Sequence, residues 1–375
     1  MIKTSDVIVI GGGLIGSATA YYLAMAGFSV TVMEARGLLK GGTASPASAG
    51  GVRQQGRDPA EMPLAIYSVN LWSSLSDELE ADLHYRRRGL IVLCDREDGL
   101  AKLERRAATE KAFGVDVRLI GPDELRDLAP GVARTMLGGS YCPTDGQADP
   151  ILTTAAFARA AQKLGVRYLS DCPVENLIFD KGRLLAVCSS KGETSCERAV
   201  LAAGAWSALL AGRAGLKLPI EPFGLQMMVT ARRPPQLDQV LSWFGQSLSL
   251  KQSVSGGFVI GGGWPGRIDP ATYRTELLPG AMAKSARLAV SAFPSLKDIP
   301  VVRGWVGIEA YTPDHLPIIG EFPDHTGLVL AAGFSGHGFA ISPGVGRLLA
   351  EYFVTGQWPR LLTPFQPGRF GNTYA

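Results

Sequence analysis

The stretch that decides the fold, residues 7–37, reads VIVIGGGLIGSATAYYLAMAGFSVTVMEARG. An apolar, β-branched segment, Asp6–Ile10, leads into a glycine turn at Gly11–Gly16. The alanine-rich segment Ser17–Ala26 that follows predicts a helix. A second apolar segment, Ser29–Glu34, has the composition of a buried parallel strand. The order strand, helix, strand predicts a βαβ unit with a sharp turn after its first strand.

The glycines of this turn have the spacing G-x-G-x-x-G, formed by Gly11, Gly13 and Gly16. The first permits the tight turn, the second lets the backbone approach a pyrophosphate, and the third lets helix pack on strand. Phosphates would then face the free N–H groups of the helix N-terminus. Glu34 lies 18 residues after Gly16, where a carboxylate accepts hydrogen bonds from ribose hydroxyls. The pattern predicts a dinucleotide site that disfavours NADP but does not separate FAD from NAD.

The composition is that of a globular protein and has no excess of basic residues of the kind that binds nucleic acid. The chain has 375 residues, is 46% hydrophobic and carries a net charge of +3, so disorder and nucleic-acid binding are not expected. The basic run Arg86–Arg88 is typical of a solvated face. Five cysteines without a C-x-x-C pair and four scattered histidines predict no metal site and favour a reducing compartment.

No targeting or membrane segment is expected from the sequence. The apolar run near the N-terminus is broken by three glycines, so it is interpreted as strand and turn rather than as a signal peptide. No run of about 18 apolar residues suggests a membrane span. We therefore expect a cytoplasmic protein.

The rest of the chain alternates between two patterns. Alternating strands such as Gln226–Ala231 and Gly257–Gly261 indicate an antiparallel sheet. The buried strand Leu328–Ala331 and a terminal helix at Gly344–Phe353 are instead typical of the nucleotide-binding domain. The predicted fold class is α/β (α+β overall), a Rossmann-type domain with an inserted antiparallel-sheet substrate domain. The predicted nucleotide-binding domain comprises residues 1–85, 146–215 and 300–375, and the substrate domain comprises 86–145 and 216–299.

Several later segments carry a family resemblance through their order and spacing. They are GTAS at 42–45, ASAGG at 47–51, DGQADP at 145–150, VLAAGAWS at 200–207, RGWVGIEAYTPDHLPIIG at 303–320 and LVLAAGFSGHGFAISPG at 328–344. Over nearly its whole length the chain resembles the D-amino-acid oxidase superfamily of FAD enzymes, the group of glycine and sarcosine oxidases. The resemblance implies FAD with its isoalloxazine at the domain interface. Its N5 would take a hydride from a carbon that bears an amine, and the imine would hydrolyse.

The glycine turn and the resemblance together predict the cofactor-binding residues. Small residues and hydroxyls at 42–51 suit a backbone that cradles a phosphate and runs along a flat ring. Gly333, Gly336 and Gly338 lie between a strand and a helix, where N–H groups would stabilise charge on a reduced flavin; a plain glycine turn is the alternative. The predicted residues are Gly11, Gly13, Leu14, Ile15, Gly16, Glu34, Ala35, Arg36, Thr43, Ala44, Ser45, Ser48, Ala49, Gly50, Gly51, Val174, Ala203, Gly204, Trp206, Gly333, Ser335, Gly336, His337, Gly338, Phe339 and Ala340.

The chain lacks the residues that attach flavins covalently in the resembling enzymes. Some sarcosine oxidases link FAD through a cysteine just before the segment that matches Thr312–Asp314, and here no cysteine follows Cys196. The catalytic subunit of heteromeric sarcosine oxidase carries FMN on a histidine in the segment that matches Gly146–Pro150. No histidine occurs between His84 and His315. FAD, and any FMN at a subunit interface, is therefore expected to be noncovalent.

The usual anchors for a substrate carboxylate are also absent. Ala340 stands where monomeric sarcosine oxidase has a lysine, and Glu309 where glycine oxidase and D-amino-acid oxidase have an arginine. Arg53 is the remaining candidate anchor, with Arg57 behind it. A Glu309 that faces the site indicates a cationic group on the substrate, such as a guanidinium. The alternative is a solvated loop carboxylate.

Two further residues complete the predicted site, and one expected residue is missing. His337 would accept a proton from the substrate amine or tune the flavin, or would be bonded to backbone beside its glycines. Tyr311 walls the pocket or packs in a core. The oxygen-activating lysine of sarcosine oxidases lies on a strand that resembles Gly257–Gly261, and no lysine occurs between Lys251 and Lys284. That absence favours a dehydrogenase.

The pattern is most similar to catalytic β subunits of bacterial heteromeric dehydrogenases, which include opine oxidases, D-hydroxyproline dehydrogenases and hydrogen cyanide synthases. Glu309 favours an opine, octopine or nopaline, whose oxidation would give arginine and a 2-oxo acid. The alternatives are a stand-alone sarcosine, glycine or D-amino-acid oxidase, a D-proline or D-hydroxyproline dehydrogenase subunit, and a noncatalytic flavin-binding scaffold. The expected partners are a small-molecule substrate and other subunits of a heteromeric complex.

Overall fold

The computed structural model describes residues 5–40, 42–269 and 272–374, with side chains as far as residue 371. The strands are β1 Val7–Ile10, β2 Val30–Met33, β3 Gly51–Val52, β4 Leu90–Cys94, β5 Arg118–Ile120, β6 Gly138–Cys142, β7 Gly146–Gln147, β8 Arg167–Leu169, β9 Val174–Asp180, β10 Arg183–Ser189, β11 Gly192–Ser195, β12 Ala199–Leu201, β13 Glu221–Thr230, β14 Val240–Trp243, β15 Gln246–Gln252, β16 Phe258–Gly261, β17 Arg267–Ile268, β18 Thr275–Glu276, β19 Val301–Tyr311, β20 Ile318–Phe322 and β21 His325–Ala332. The helices are α1 Leu14–Met25, α2 Ala44–Ala47, α3 Met62–Glu78, α4 Glu97–Ala112, α5 Pro122–Leu128, α6 Pro150–Lys163, α7 Ser207–Arg213, α8 Pro279–Ala292 and α9 Gly338–Thr355. Within these described ranges, no helix has the length and apolar character needed to cross a membrane.

A mainly parallel sheet forms the layer that carries the glycine turn. Its strand order is β11-β10-β21-β12-β1-β2-β8, with β20 beside β21 and β9 beside β10. β1 pairs in parallel with β2 and β12, and β12 with β21. Every residue of β1 and β2 is buried, as expected for apolar strands covered on both faces. The carboxyl ends of the parallel strands meet at one edge, where ligands bind in sheets of this kind.

Helix α1 is held against this sheet by neighbours on either side. It packs on β1 and β2 and contacts both α6 and α9. Small side chains bring α1 and α9 close together, since a Cβ on Gly346 would lie 2.8 Å from the carbonyl carbon of Ala18. Even Ser17 and Thr19 of α1 are buried. The tight packing fixes the N-terminus of α1 at the carboxyl edge of the sheet.

The second sheet is mainly antiparallel and has its own core. Its strand order is β19-β13-β16-β15-β14-β4-β6-β5, and β14 and β4 form a parallel pair within it. Its core lies against α8, where the rings of Phe258 and Phe293 are centred 5.6 Å apart. The fold class, a Rossmann-type α/β layer joined to an antiparallel sheet, is confirmed.

Two elements differ from the sequence-based prediction. β19 was assigned with residues 300–375 to the nucleotide-binding segments, but it pairs along its length with β13 in the antiparallel sheet. Helix α9 begins at Gly338, six residues before the predicted start at Gly344. Pro343 favours a late start because it cannot donate to the carbonyl of Phe339. The Ser342 hydroxyl donates to that carbonyl at 3.0 Å instead, so the helix continues through the proline.

Candidate active site

The glycine turn after β1 leaves no room for side chains. Gly11 has a φ of +105°, and a Cβ there would lie 2.5 Å from the carbonyl oxygen of Ala202. A Cβ on Gly16 would lie 1.9 Å from the carbonyl oxygen of Gly11, so α1 rests directly on the turn. A Cβ on Gly13 would lie 3.2 Å from Ser45 Oγ. The spacing of the glycines therefore produces a turn whose exposed surface is backbone.

The N-terminus of α1 opens on this turn. Gly13 is the N-cap and offers no side chain to cap the helix. The N–H of Leu14 donates to Ser45 Oγ at 2.9 Å. Gly12, Gly13, Leu14 and Ile15 all line the cavity described below. A helix N-terminus with free N–H groups and a neighbouring hydroxyl suits a pyrophosphate.

Glu34, one residue past β2, reaches back to the same turn. Its Oε2 accepts the N–H of Gly12 at 2.7 Å, and its Oε1 accepts the N–H of Arg36 at 3.0 Å. The side chain is half-buried in the cavity wall. Each carboxylate oxygen keeps a lone pair for one more donor, which suits the hydroxyls of a ribose.

A cavity of about 380 Å³ lies between the turn after β1 and the carboxyl half of β19. The predicted cofactor-binding residues that line it are Gly11, Gly13, Leu14, Ile15, Glu34, Ala35, Arg36, Thr43, Ala44, Ser45, Ser48, Val174, Ala203, Gly204, Trp206, Gly336, Gly338 and Phe339. The prediction missed other wall residues, including Gly12, Pro173, Ala202, Ile308 and Ala310. Each of these five is a chain neighbour of a predicted residue, so the local strand and turn pattern was the available signal.

The remaining predicted cofactor-binding residues lie outside the cavity wall: Gly16, Ala49, Gly50, Gly51, Gly333, Ser335, His337 and Ala340. Gly16 packs the helix on the turn, as described above. Ala340 is buried, and its carbonyl accepts Trp72 Nε1–H at 2.8 Å. A Cβ on Gly50 would lie 2.2 Å from the carbonyl oxygen of Ala148. These three residues shape the site through packing beneath the wall.

The loop between β21 and α9 brings a second helix N-terminus to the cavity. The backbone has positive φ angles at Gly333, Ser335 and Gly336. The N–H of Ser335 donates to the carbonyl of Ala310 at 2.9 Å, which ties the loop to β19. Gly336 and Gly338 line the cavity where α9 begins. This wall is therefore largely backbone too and can lie close to a flat ring.

Glu309 on β19 is the predicted catalytic residue that lines the cavity. The N–H of Gly336 donates to its carboxylate and favours the ionised form, but burial is the larger effect and raises the pKa of Glu309 to about 7. Its partner across the strands is Phe223 of β13. Glu309 therefore lies on a strand beside the cavity and not on a solvated loop. At neutral pH it can pair with a cation or exchange a proton.

Tyr311 lies two residues further along β19 and belongs to an aromatic group outside the cavity wall. Its ring centroid is 5.3 Å from that of Phe223 and 5.6 Å from that of His315. A Cβ on Gly336 would lie 3.7 Å from the Tyr311 hydroxyl. Burial, with the Glu309 charge as a second cause, raises the pKa of Tyr311. The group borders the loop that carries His337.

Arg53, Arg57, Glu61, Asp145 and His337 form an ionic cluster, and none of the five lines the cavity. His337 Nδ1 lies 2.8 Å from Glu61 Oε2, and Arg57 Nη1 lies 3.6 Å from Glu61 Oε1. Asp145 accepts the next two backbone N–H groups after Arg53, at 2.7 and 3.4 Å. Both carboxylates are fully buried. Sequence reasoning missed Glu61, and no local pattern marks it, because Arg57 and Glu61 both precede α3 and pair through the loop before that helix.

Arg53 and His337, two basic residues of the ionic cluster, have different protonation states at neutral pH. Burial, helped by Arg57, lowers the pKa of Arg53 to about 10, so its guanidinium stays charged at neutral pH. Burial, then Arg57, lowers the pKa of His337 to about 4 against the opposing effect of Glu61. A neutral imidazole with that pKa is a weak base. It suits hydrogen-bond acceptance better than the proton uptake that the sequence suggested.

Lys251 changes the argument that rested on a missing lysine. It lies on β15, directly across from Val259 of β16, and is buried. Its Nζ donates to the carbonyl of Ala148 at 3.2 Å and would lie 2.8 Å from a Cβ on Gly50. Burial lowers the pKa of Lys251 to about 8. The neighbouring strand thus brings an amine to the segment at 47–51 that was predicted to run along the flavin, and the expectation of a dehydrogenase, which considered β16 alone, stays a prediction.

These features together fit FAD. The turn excludes side chains, the α1 N-terminus with Ser45 suits the pyrophosphate, Glu34 suits the ribose, and the loop before α9 suits a ring. The fold and the cavity define the class as flavin-dependent oxidoreductases. The chain belongs to the DAO family of FAD dependent oxidoreductases, whose sequence profile matches residues 6–352. It is therefore an enzyme with FAD as its cofactor.

Similar proteins agree over almost the full length. Sarcosine oxidase subunit beta from Arthrobacter sp is 29% identical over 98% of this chain and 91% of its own. Glycine oxidase from Geobacillus kaustophilus is 30% identical over 97% of each chain. Among solved structures, L-proline dehydrogenase from P. horikoshii has a TM-score of 0.92 and 30% identity, covering 99% of this chain and 98% of its own. The protein is an FAD-dependent amine or amino acid oxidoreductase.

Proposed function

We propose that the chain oxidises the C–N bond of an N-substituted amino acid that carries a cationic group, namely an opine such as nopaline or octopine. The products would be arginine and a 2-oxo acid. The observation that carries this proposal is the position of Glu309 in the cavity wall, where the resemblance to glycine oxidase implies an arginine. A carboxylate there repels a substrate carboxylate and pairs with a guanidinium.

FAD, when bound, supplies the acceptor for the hydride that leaves the carbon next to the amine. The chain's own residues bind and orient the substrate. Glu309 pairs with the guanidinium, and because its pKa is raised to about 7 by burial, cation binding and its deprotonation favour each other. The affinity for a cationic substrate should therefore rise as the pH increases through about 7.

Arg53 is the proposed anchor for a substrate carboxylate. Its Nη1 donates to the carbonyls of Gln55 and Gly56 at 2.9 and 3.3 Å; among the described residues, the other N–H groups of the fork have no such bond and suit a ligand. Its charge is close enough to lower the pKa of His337. A substrate with a carboxylate at one end and a guanidinium at the other would use Arg53 and Glu309 together.

We also propose that the chain works as the catalytic subunit of a heteromeric complex in the cytoplasm. Its 29% identity to sarcosine oxidase subunit beta over nearly the full length supports this. Any FMN would be noncovalent, since the matching segment at 146–150 contains no histidine.

A second candidate is a stand-alone oxidase or a proline dehydrogenase. The 30% identity to glycine oxidase over 97% of both chains supports the oxidase. The TM-score of 0.92 to L-proline dehydrogenase supports an enzyme that acts on proline, or on D-proline or D-hydroxyproline as the sequence suggested. The noncatalytic flavin-binding scaffold, the alternative from another class, is not retained, because the chain belongs to a family of FAD dependent oxidoreductases.

An anaerobic titration of the purified holoprotein tests the proposal. Nopaline, octopine, sarcosine, glycine and D- and L-proline are added separately, with and without any co-purifying subunits, while flavin absorbance is followed. We expect the opines to reduce the flavin and so to bleach its absorbance. Bleaching by sarcosine, glycine or proline, with no response to the opines, would overturn the assignment and favour the second candidate.

The variant Glu309→Gln sharpens the test. We expect it to raise the opine concentration for half-bleaching by about tenfold to a hundredfold, the size of a lost charge-assisted hydrogen bond. Glu221→Gln is the matched control, because Glu221 is exposed and pairs across the strands with Tyr311. A response that is equal for both variants would remove Glu309 from substrate recognition.

A further inference from the structure

Glu61 is a buried carboxylate whose position is not explained by the fold alone. It precedes α3 as the N-cap residue, yet its side chain makes no capping hydrogen bond. It is fully buried, which is costly for a carboxylate unless it is paired. Its contacts go to Arg57 and to His337, a residue 276 positions later in the chain. It joins α3 to the N-terminus of α9, where the cavity wall ends.

The charge of Glu61 is set by these partners. Burial opposes ionisation, but Arg57, His337 and Arg53 together hold the pKa of Glu61 below its ordinary value. An ionised carboxylate only accepts hydrogen bonds. At 2.8 Å from Glu61 Oε2, Nδ1 of His337 must therefore carry the hydrogen. The ring itself stays neutral, because burial, and then the charges of Arg57 and Arg53, lower the pKa of His337 to about 4.

The other ring nitrogen is left with a lone pair. In a neutral imidazole protonated at Nδ1, Nε2 is an acceptor. The part of the chain that the structure describes offers Nε2 no hydrogen bond, since the ring bonds there only through Nδ1. His337 lies between Gly336 and Gly338, which line the cavity, and its side chain is 22% exposed. The lone pair is thus available to a ligand at the edge of the cavity.

We propose that Glu61 is a positioning residue that holds His337 in the Nδ1–H form, so that Nε2 accepts a hydrogen bond from the N–H of the substrate amine. The role of the amine rests on the proposed function. No bond to carbon changes in this step, and the proton stays on the amine. Arg57 completes the arrangement by keeping Glu61 ionised, although Arg57 Nη1 has no hydrogen-bond partner in the described part of the chain.

The tautomer is measured directly by NMR of the FAD-bound protein labelled with ¹⁵N-histidine. The chain has four histidines, so His337→Asn identifies the signals of His337. We expect the wild-type ring to be protonated at Nδ1 and unprotonated at Nε2 at neutral pH. A wild-type ring protonated at Nε2 would overturn the proposal without any variant, so a variant that fails to fold cannot leave it undecided.

The variant Glu61→Gln gives the second readout. A glutamine amide can donate as well as accept, so the tautomer should shift to Nε2–H or become mixed. The concentration of amine for half-reduction of the flavin should rise by about threefold to tenfold, the size of a lost hydrogen bond between neutral groups, while the limiting rate of reduction changes little. An unchanged imidazole spectrum in this variant would contradict the proposal.

Glu110→Gln is the matched control. Glu110 is equally buried and pairs with Arg106, also four residues earlier, at 3.3 Å, but it contacts no histidine among the described residues. It should leave the His337 signals unchanged. The NMR result needs no substrate, so it stands even if no amine reduces the flavin. Conversely, if opines reduce the flavin but the His337 tautomer is unaltered in Glu61→Gln, only this inference is refuted and the proposed function stays intact.

Discussion

The two walls of the cavity are built by different means. Around the N-terminus of α1 the wall is backbone, and its chemistry comes from N–H groups and from glycines that leave space for a ligand. Around β19 a charged side chain, Glu309, adjoins the backbone wall of Gly336 and Gly338, and the ionic cluster lies outside the wall; Glu309 and the ionic cluster together are called the charged wall. The first wall suits the constant parts of a cofactor, and the second suits a particular substrate.

The difference also lies in how far apart in the chain the contacts are. The bond between Gly12 and Glu34 spans 22 residues. The contacts from Gln54 to Asp145 and from Glu61 to His337 span 91 and 276 residues. A substitution that adds a side-chain atom to a glycine should therefore disrupt the backbone wall, whereas a substitution that removes a charge should disrupt the charged wall. The predictions below test each side of this comparison.

The largest effect is expected from Gly16→Ala. The new Cβ would lie 1.9 Å from the carbonyl oxygen of Gly11, so α1 or the turn must move. Overpacking of this kind against fixed backbone costs about 3 kcal/mol or more, and it displaces the N–H groups that would hold the pyrophosphate of FAD. The FAD content of the purified protein should fall at least severalfold, as measured by the ratio of flavin to protein absorbance.

Gly212→Ala is the control for this change. Gly212 is an exposed helical glycine of α7, and an added Cβ would meet no atom within 4 Å. Its FAD content should match that of the wild type, and alanine favours a helix. Retention of full FAD content by Gly16→Ala would mean that the backbone wall yields more easily than its geometry indicates.

On the charged side, Asp145→Asn should produce the next largest effect. Burial raises the pKa of Asp145 to about 6 against two backbone hydrogen bonds and Arg53. The folded state therefore favours the protonated acid, so this group's contribution to stability is present below pH 4 and is lost as the pH rises through about 6. Asparagine removes that pH dependence. Its amide also leaves one N–H of residues 54 and 55 without an acceptor, at a cost of about 1–3 kcal/mol.

Urea unfolding from pH 4 to pH 7 measures both parts of this prediction. The wild type should lose more stability across that range than Asp145→Asn does, and the variant should be the less stable protein at pH 5. Parallel curves for the two proteins would show that Asp145 is ionised throughout, and that the ionic cluster stabilises its charge more than burial opposes it.

The sequence predicted the backbone wall well, because its signals are local. Apolar runs and the glycine spacing between Val7 and Gly37 located β1, α1 and β2, each shifted by a few residues at most. The start of α9 was placed too late, because Pro343 is compensated by a hydroxyl that only the folded helix shows. The assignment of β19 to the antiparallel sheet also needed the structure, because the sequence of one strand does not show which strand it pairs with.

The charged wall was predicted only in part. Glu309, His337 and Arg53 were chosen from the sequence, but their partners were not, because Glu61 and Asp145 meet them only in the folded chain. The expectation of a dehydrogenase, which rested on the absence of a lysine from β16, stays a prediction. Lys251 was overlooked for a related reason, because it lies on the paired strand opposite Val259.

The smallest effect is expected from Lys251→Met, at a buried cation on β15 that lies outside the cavity wall and the ionic cluster. Burial lowers the pKa of Lys251 from 10.5 to about 8, so the charged form is disfavoured in the folded state. Its contribution to stability is present above pH 10.5 and is lost as the pH falls through about 8. At pH 7 methionine removes this penalty, at about 1.4 kcal/mol per pKa unit, but leaves the carbonyl of Ala148 without its donor. We therefore expect a net change within about 1 kcal/mol at pH 7.

The pH dependence of this variant is the decisive measurement. Between pH 7.5 and pH 9.5 the wild type should gain free energy of unfolding relative to Lys251→Met, because the folded lysine loses its proton across this range while the unfolded one stays charged. Lys284→Met, at an exposed position on α8, should follow the wild type across the same range. If Lys251→Met follows it as well, Lys251 is as easily charged as a surface lysine, and burial on β15 does not lower its pKa.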